Sequence, residues 1–205
     1  MNPNSSSEKR VQNLRSRLRE EAGQAMIAAA EAVFAERGLS GASMGEIAAK
    51  AGVAVGTLYN HFQDREALLD ATMAARKAEL KDKLDKRLHE SAREPFARQL
   101  GAIIGALFEH FEEHRQFLTI VMCEHATSLG KKSKAMREIA SVLERVLKRG
   151  VQEGALKPSR GGLHAVALLG MVRGVILNDV EHGSRGELTR HVDELVDLFL
   201  RGAGR

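Results

Sequence analysis

Hydrophobic residues recur along this chain with the spacing of α-helices. In residues 20–37, the apolar positions that share one helical face are Met26, Ala30, Val33 and Phe34. Gly38 follows them, where a left-handed residue commonly ends a helix. The pattern predicts a first helix over 20–37 that buries one face.

Two short amphipathic segments come next. Ser43 and Glu46 have the spacing of a capping box, which predicts a helix that begins after Ser43 and stops at Gly52. A second short helix is predicted over 54–61. Leu58 is its inward residue, and Val53 and Phe62, which flank the helix, also point to the core. Two short helices joined by a tight, glycine-containing turn are typical of a helix-turn-helix.

The remaining pattern is also helical. Asp64 is a suitable cap for a long helix that runs to about residue 93, and Pro95 marks a boundary. Further helices are predicted over 96–113, 117–128, 134–153, 162–182 and 187–201. The sequence therefore predicts an all-α fold, in which a three-helix helix-turn-helix unit is joined by a long helix to a larger helical body.

Composition narrows the class of protein. The 205 residues carry a formal charge of +4 and one cysteine, Cys123, so no disulfide forms within the chain. The polar beginning lacks the apolar core of a signal peptide, and uncharged apolar stretches are shorter than a membrane span requires. We expect a cytoplasmic protein that does not associate with membranes.

A run of basic residues precedes the first predicted helix. It contains no acidic residue between its members, which are Lys9, Arg10, Arg15, Arg17 and Arg19. Such a run is either the solvated start of a helix or an arm that contacts phosphates. We expect residues 1–19 to form a flexible basic arm.

The second short helix has the residues for reading DNA. Gly56 permits a close approach of the backbone, and Asn60 can pair with adenine. Thr57 offers a hydroxyl or a methyl group, and Tyr59, the only tyrosine, can reach a phosphate oxygen. The alternative is an ordinary helical corner with Tyr59 half buried.

Residues 20–69 resemble the tetracycline-repressor (TetR/AcrR-type) family of bacterial transcriptional regulators. The resemblance rests on the segments at 29–38, 43–53, 56–62 and 65–69, which read AAEAVFAERG, SMGEIAAKAGV, GTLYNHF and REALL. Several spacings match together, whereas the rest of the chain is similar to the family only in the number and length of its helices.

The resemblance implies a set of DNA contacts. It assigns backbone contacts to Thr57, Tyr59 and His61, and a phosphate contact to Arg65, where the family usually has lysine. The base-facing positions that it implies are Gly45, Val55, Gly56 and Asn60. Ala54 stands where the family often has serine or threonine, so a helix cap worth about 1 kcal/mol is absent. The resemblance also implies a dimer on a pseudo-palindromic operator.

The last two predicted helices suggest association between chains. Gly170 and Gly174 allow close helix approach, and one helical stripe contains Leu188, Val192, Leu195, Val196 and Phe199. We expect these residues to form a four-helix dimer interface. Packing within one chain is the alternative.

The body has more apolar residues than dimerisation requires. The residues predicted to line a pocket for a small apolar or amphipathic effector are Phe108, Phe111, Met122, Met171 and Arg173. Arg173 lies in the most apolar helix and requires a partner carboxylate, a dimer mate or an anionic ligand.

One short motif suggests a metal enzyme instead. His110, Glu113 and His114 match the H-x-x-E-H pattern of inverted zincins. A five-residue match is weak support for a metal site, and the stretch 110–115 is typical of a solvated helix end. We expect no metal, no cofactor and no catalytic residue. A metal-dependent hydrolase, or a helical scaffold without DNA binding, is the alternative.

Taken together, the sequence predicts three parts: an arm over 1–19, a DNA-binding domain over 20–63 and a ligand-binding and dimerisation domain over 64–205. We expect a homodimeric repressor that a small molecule releases from a double-stranded DNA operator.

Overall fold

A computed structural model describes the backbone of residues 4–124, 134–159, 162–182 and 187–203. Side chains are described for residues 17, 19–119, 140–159, 162–182 and 187–202. The helices, in chain order, are α1 (Asn4–Gly41), α2 (Met44–Ala51), α3 (Val55–His61), α4 (Arg65–Glu90), α5 (Phe96–Glu113), α6 (Arg115–Glu124), α7 (Lys134–Gln152), α8 (Leu163–Glu181), a 3₁₀ turn (Leu188–His191) and α9 (Val192–Ala203). The all-α prediction is confirmed.

The chain divides into two compact units, one ending at Ala75 and the other beginning at Arg76. This division lies within α4, 75 − 63 = 12 residues after the predicted domain boundary. Residues 4–19 differ from the predicted flexible arm, because their backbone forms the first turns of α1. Neither glycine nor proline occurs between Asn4 and Glu21, so nothing interrupts helix propagation there.

The core of the N-terminal unit forms around α1 and α2. The predicted inward residues of α1 (Met26, Ala30, Val33 and Phe34) are buried, together with Ile47 of α2 and Leu58 of α3. Gly38 has φ 77° and ψ 167° and breaks the helical run. The predicted positive φ is confirmed, but ψ lies outside the left-handed helical region, in a conformation that is essentially restricted to glycine.

In the C-terminal unit, α5 packs against α7, α9 and the 3₁₀ turn. The buried residues that α5 contributes are Phe96, Leu100, Ile103, Ile104, Ala106, Phe108 and Phe111. Those from the helices around it include Val142, Leu143, Val146, Leu168, Val172, Ile176, Leu195 and Phe199. This single apolar cluster gives the unit its stability.

One arginine holds the connection between α4 and α5 in place. Arg149 of α7 donates from Nη1 to the Ala92 carbonyl at 3.1 Å and to Gln99 Oε1 at 2.9 Å. Its Nη2 donates to the Glu94 carbonyl at 2.9 Å. Backbone carbonyls that would otherwise face a helix junction are thereby satisfied.

The stripe assigned to a dimer interface lies inside its own chain, which corrects that prediction. Leu188, Leu195, Val196 and Phe199 are buried and Val192 is half-buried. A Cβ on Gly101 of α5 would stand only 3.5 Å from Val192 Cγ1 and 3.8 Å from Val196 Cγ2. Since α5 offers a flat, glycine-containing surface at this point, the stripe packs within the chain.

A different apolar face is exposed on α8 and α9. Leu163, Val166 and Leu198 are 61%, 67% and 57% exposed. Gly170 and Gly174 are also exposed, and a Cβ on either would meet no atom within 4 Å. By length and composition alone, α8 is apolar enough to cross a membrane. An apolar face left open on one chain is equally typical of a protein–protein contact.

Candidate nucleic-acid interface

The turn between α2 and α3 is built by local hydrogen bonds. Glu46 N donates to Ser43 Oγ at 3.2 Å, and Ser43 N donates to Glu46 Oε2 at 3.2 Å, so the predicted capping box is present. The Ser43 hydrogen bonds and the charge of Arg37 lower the pKa of Glu46. Gly52, at φ 69° and ψ 27°, ends α2 in the left-handed region. These contacts fix the direction in which α3 leaves the turn.

The outer side of α3 carries the residues predicted to contact DNA. Val55 is 44% exposed and Tyr59 is 51% exposed, whereas Leu58 is fully buried beneath them. Gly56, Thr57 and Asn60 are exposed too, and His61 is half-buried beside Phe62. An aromatic and a branched side chain that the chain leaves uncovered are consistent with contact to an external partner. The alternative of a half-buried Tyr59 at an ordinary corner is not what the structure shows.

Gly45 and Gly56 have no packing reason to be glycine. Both are exposed, and a Cβ on either would meet no atom within 4 Å. Neither has a positive φ. Since alanine has a higher helix propensity than glycine, the chain itself gains no helix stability from these two glycines.

The start of α4 lies beside this surface in the N-terminal unit. Asp64 caps the helix, accepting from Ala67 N at 2.7 Å, as predicted. Ala54 makes no side-chain cap for α3, which agrees with the expectation drawn from the family pattern. Arg65 is exposed, and its Nη1 donates to the Ser40 carbonyl at 2.7 Å. This contact ties the guanidinium to the segment before α2.

Arg17 and Arg19 of the predicted basic arm are exposed on α1. The side chains of Lys9, Arg10 and Arg15 lie outside the described residues. The role of these basic residues as phosphate contacts remains a prediction.

The residues predicted to line an effector pocket take different positions in the structure. Phe108 and Phe111 are buried in the core and Met171 is half-buried against it. Arg173 is exposed, which corrects its placement inside the body, because α8 turns that position away from the core. The side chain of Met122 lies outside the described residues. The charge that α8 does bury is Asp179, paired to Arg115 with Nη1 and Oδ2 2.5 Å apart.

A groove of about 290 Å³ lies between α7 and α8. Its apolar lining includes Leu147, Val151 and Ala165, and its polar lining includes Lys148, Ser159 and His164. No sequence pattern indicates this groove, because it depends on where the segment around Pro158 crosses between the two helices.

The zincin-like motif is solvated only in part, which corrects that interpretation. His110 is only 4% exposed, and its Nδ1 has no hydrogen-bond partner within the described part of the chain. Burial, and then the neighbouring His114, lower the pKa of His110 to about 4. The ring is therefore neutral at pH 7.

Three residues of α4 surround this motif, and the sequence did not single them out. His114 Nε2 lies 3.2 Å from Glu79 Oε1 and 3.1 Å from Arg76 Nη1. Lys83 contacts the carboxylates of Glu79 and Glu113. Burial raises the pKa of Glu79. The hydrogen bond with His114 and the nearby cations outweigh that effect and hold the pKa below its usual value.

The fold and the exposed helix define a class: a helical regulator with a helix-turn-helix DNA-binding domain. Residues 26–72 match the family model for bacterial regulatory proteins of the tetR family. Residues 97–182 match the model for a tetracyclin repressor-like C-terminal domain. The chain belongs to the TetR family of transcriptional regulators, as its resemblance implied.

Several solved structures share this fold. The fatty acid degradation regulator FadR from Bacillus halodurans is 24% identical, with 87% of this chain and 94% of that chain covered and a TM-score of 0.77. A putative fatty acid metabolism regulator from Clostridium perfringens is 26% identical, with coverage of 88% and 99% and a TM-score of 0.69. FadR from Bacillus subtilis, in complex with stearoyl-CoA, is 22% identical, with coverage of 87% and 98% and a TM-score of 0.67. No curated protein matches the chain by sequence.

Proposed function

We propose that the protein is a cytoplasmic, homodimeric repressor, and not an enzyme, which binds a pseudo-palindromic operator through α3. The observation that carries the proposal is the exposed surface of Val55, Gly56, Tyr59 and Asn60 on a helix whose direction is fixed by a capping box. Two such helices in a dimer read half-sites about 34–36 Å apart in neighbouring major grooves. Arg65 and the basic residues of α1 contact phosphates.

The base contacts and the backbone contacts have different roles in recognition. Asn60 reads one base pair, and Tyr59 and Thr57 hold the backbone. Gly45 and Val55 offer no side-chain hydrogen bond, so thymine methyl contacts and DNA shape supply more of the specificity.

Two conservative variants test these roles. On an operator selected from a randomised duplex pool, Asn60→Ala relaxes the preference at one base pair at a cost of about 1–3 kcal/mol. Tyr59→Phe, which removes only a hydroxyl, weakens binding to all sequences alike. Fluorescence anisotropy across a series of salt concentrations gives both effects, and the affinity of the parent falls steeply as salt rises.

Both side chains are exposed, so circular dichroism should show an unchanged fold in each variant. If Asn60→Ala and Tyr59→Phe bind the selected duplex as the parent does, α3 is not the reading helix. A parent whose affinity is independent of salt would also contradict the proposal.

Dimerisation is assigned to the exposed face formed by Leu163, Val166, Gly170, Gly174 and Leu198. The two glycines permit close approach of α8 to α8 of a second chain, and the apolar side chains around them supply buried area. Two helices from each chain then form a four-helix bundle with two-fold symmetry. This face replaces the stripe of α9 that is covered within the chain.

The effector is proposed to be an amphipathic molecule with an acyl chain. The support is the apolar body of the C-terminal unit together with the fatty-acid regulators of similar fold, one of which is described in complex with stearoyl-CoA. To release the protein, the effector must bind the state with low DNA affinity more tightly. A coupling of about 1.4 kcal/mol gives tenfold weaker operator binding.

Stearoyl-CoA is the probe for this prediction. Added to the protein–operator complex, it should lower operator affinity at least about tenfold, the effect of the coupling given above. Free coenzyme A should leave the anisotropy unchanged, because it lacks the acyl chain. If neither stearoyl-CoA nor stearate shifts the binding curve, the acyl-chain proposal is wrong, while the DNA-binding proposal is unaffected.

A further inference from the structure

Four side chains of the C-terminal unit come together between α4 and α5. Glu79 comes from α4, and His110, Glu113 and His114 come from the last turns of α5. Each offers one ligand atom, and these four atoms all lie within 4.8 Å of one another. The regulator function described above uses none of them.

The donor set is suited to a first-row divalent metal. Imidazole nitrogen and carboxylate oxygen are common zinc ligands, bound at about 2.0–2.2 Å in tetrahedral geometry. Two ligand atoms on such an ion stand roughly 3.3 Å apart. His114 Nε2 and Glu79 Oε1 are already 3.2 Å apart, and the rings of His110 and His114 have centroids 4.9 Å apart.

The hydrogen bonding within the described cluster is incomplete. His110 is more than nine-tenths buried, and its Nδ1 has no hydrogen-bond partner among the described residues. His114 Nε2 lies at hydrogen-bond distance from both a carboxylate of Glu79 and the guanidinium of Arg76. Since Arg76 Nη1 also lies 3.4 Å from Nδ1 of the same ring, His114 can donate from Nε2 to Glu79 and accept at Nδ1 from Arg76, so the open position of the cluster is at His110. Buried polar groups that are only partly satisfied are a common mark of a site that holds a ligand.

Two cations balance the carboxylates in the structure. Arg76 Nη1 lies 2.7 Å from Glu79 Oε2, and Lys83 contacts both Glu79 and Glu113. A divalent ion competes with the Lys83 ammonium for the same oxygens. The long, flexible lysine side chain is partly exposed and can turn to solvent, so it acts as a competitor and does not block the site.

We propose that Glu79, His110, Glu113 and His114 bind one zinc ion and that Lys83 holds the carboxylates in its absence. The ion links α4 to α5 and stabilises the C-terminal unit. The proposal requires neither DNA binding nor hydrolytic activity, so it stands apart from the proposed function.

The test is a calorimetric titration of zinc into metal-free, untagged full-length protein. The parent should bind one zinc per chain, and its midpoint of thermal unfolding should rise with zinc concentration. Glu79→Gln and His114→Gln should each lower the affinity at least tenfold. Lys83→Met removes the competing cation and should raise it, an effect that a purely structural ion-pair network does not produce.

Two variants serve as controls. His164→Gln, in the groove between α7 and α8, and Cys123→Ser should bind zinc as the parent does. Cobalt, as a spectroscopic substitute, should give the visible absorption of tetrahedral coordination in the parent and lose it in His114→Gln. The proposal is overturned if the parent binds no zinc, if Glu79→Gln and His114→Gln leave the affinity unchanged, or if Cys123→Ser abolishes binding.

Discussion

Phe199→Asp should unfold the C-terminal unit, whereas Leu198→Asp, one residue earlier in α9, should leave it folded and separate the proposed dimer. Phe199 is 3% exposed and packs in the core with residues of α5 and α8. Removing a buried phenylalanine costs about 3–5 kcal/mol, and an unpaired charge in its place costs more. That loss is comparable to the whole stability of a typical domain.

Leu198 points away from that core and is mostly exposed. An aspartate there loses little within the chain, but in the proposed dimer it places a charge in an apolar interface. Sedimentation should therefore give folded monomers for Leu198→Asp, and Val166→Asp should behave in the same way. Operator affinity should fall with the dimer, since one chain reads only one half-site.

The pair of neighbouring substitutions separates the two faces of α9. Circular dichroism measures folding and sedimentation measures association, so the outcomes are distinct. If Phe199→Asp gives a folded monomer, the dimer interface is the stripe of α9 that the sequence predicted. An intact dimer from Leu198→Asp and Val166→Asp together would exclude the exposed face.

Gly56→Leu should strongly weaken operator binding and leave the fold intact. Gly56 is exposed on α3, and a Cβ there meets no atom of the protein within 4 Å. Leucine has high helix propensity, so thermal stability should stay the same or rise by up to about 1 kcal/mol. In the proposed complex the same side chain occupies the space that the DNA backbone and base edges require.

We expect the affinity of Gly56→Leu for the selected operator to fall at least a hundredfold, or about 2.8 kcal/mol. Ala74→Leu is the matched control, because it adds a leucine to an exposed position of α4. It should bind the operator as the parent does. Equal affinities for Gly56→Leu and the parent would mean that α3 does not approach DNA closely at this point.

The stability of the chain and its recognition of DNA depend on different surfaces. Substitutions on the outer side of α3 change binding without unfolding the chain, and substitutions in the stripe of α9 do the opposite. Substitutions in the exposed face of α8 and α9 leave the chain folded and lower DNA affinity only because they weaken the dimer.

The sequence by itself determined the local elements. The bounds of α5, predicted over 96–113, agree with the structure, because Pro95 and the helical period define them within the segment. The capping box of Ser43 and Glu46 and the left-handed Gly52 were equally predictable. Each depends on neighbours a few residues away, and so does the exposure of Tyr59 on a helix whose inward residue is Leu58.

Only the tertiary structure decided which surfaces meet. A helical stripe reveals that residues of α9 are buried but not what buries them, and α5 covers them within the chain. The same reason explains Arg173, which faces solvent, and His110, which is buried although it lies near a helix end. Glu79 joins the histidines from 31 residues earlier in the chain, since 110 − 79 = 31, and no spacing rule connects them. Contacts between distant elements depend on how the helices pack, and the periodicity of one segment carries no information about its partner.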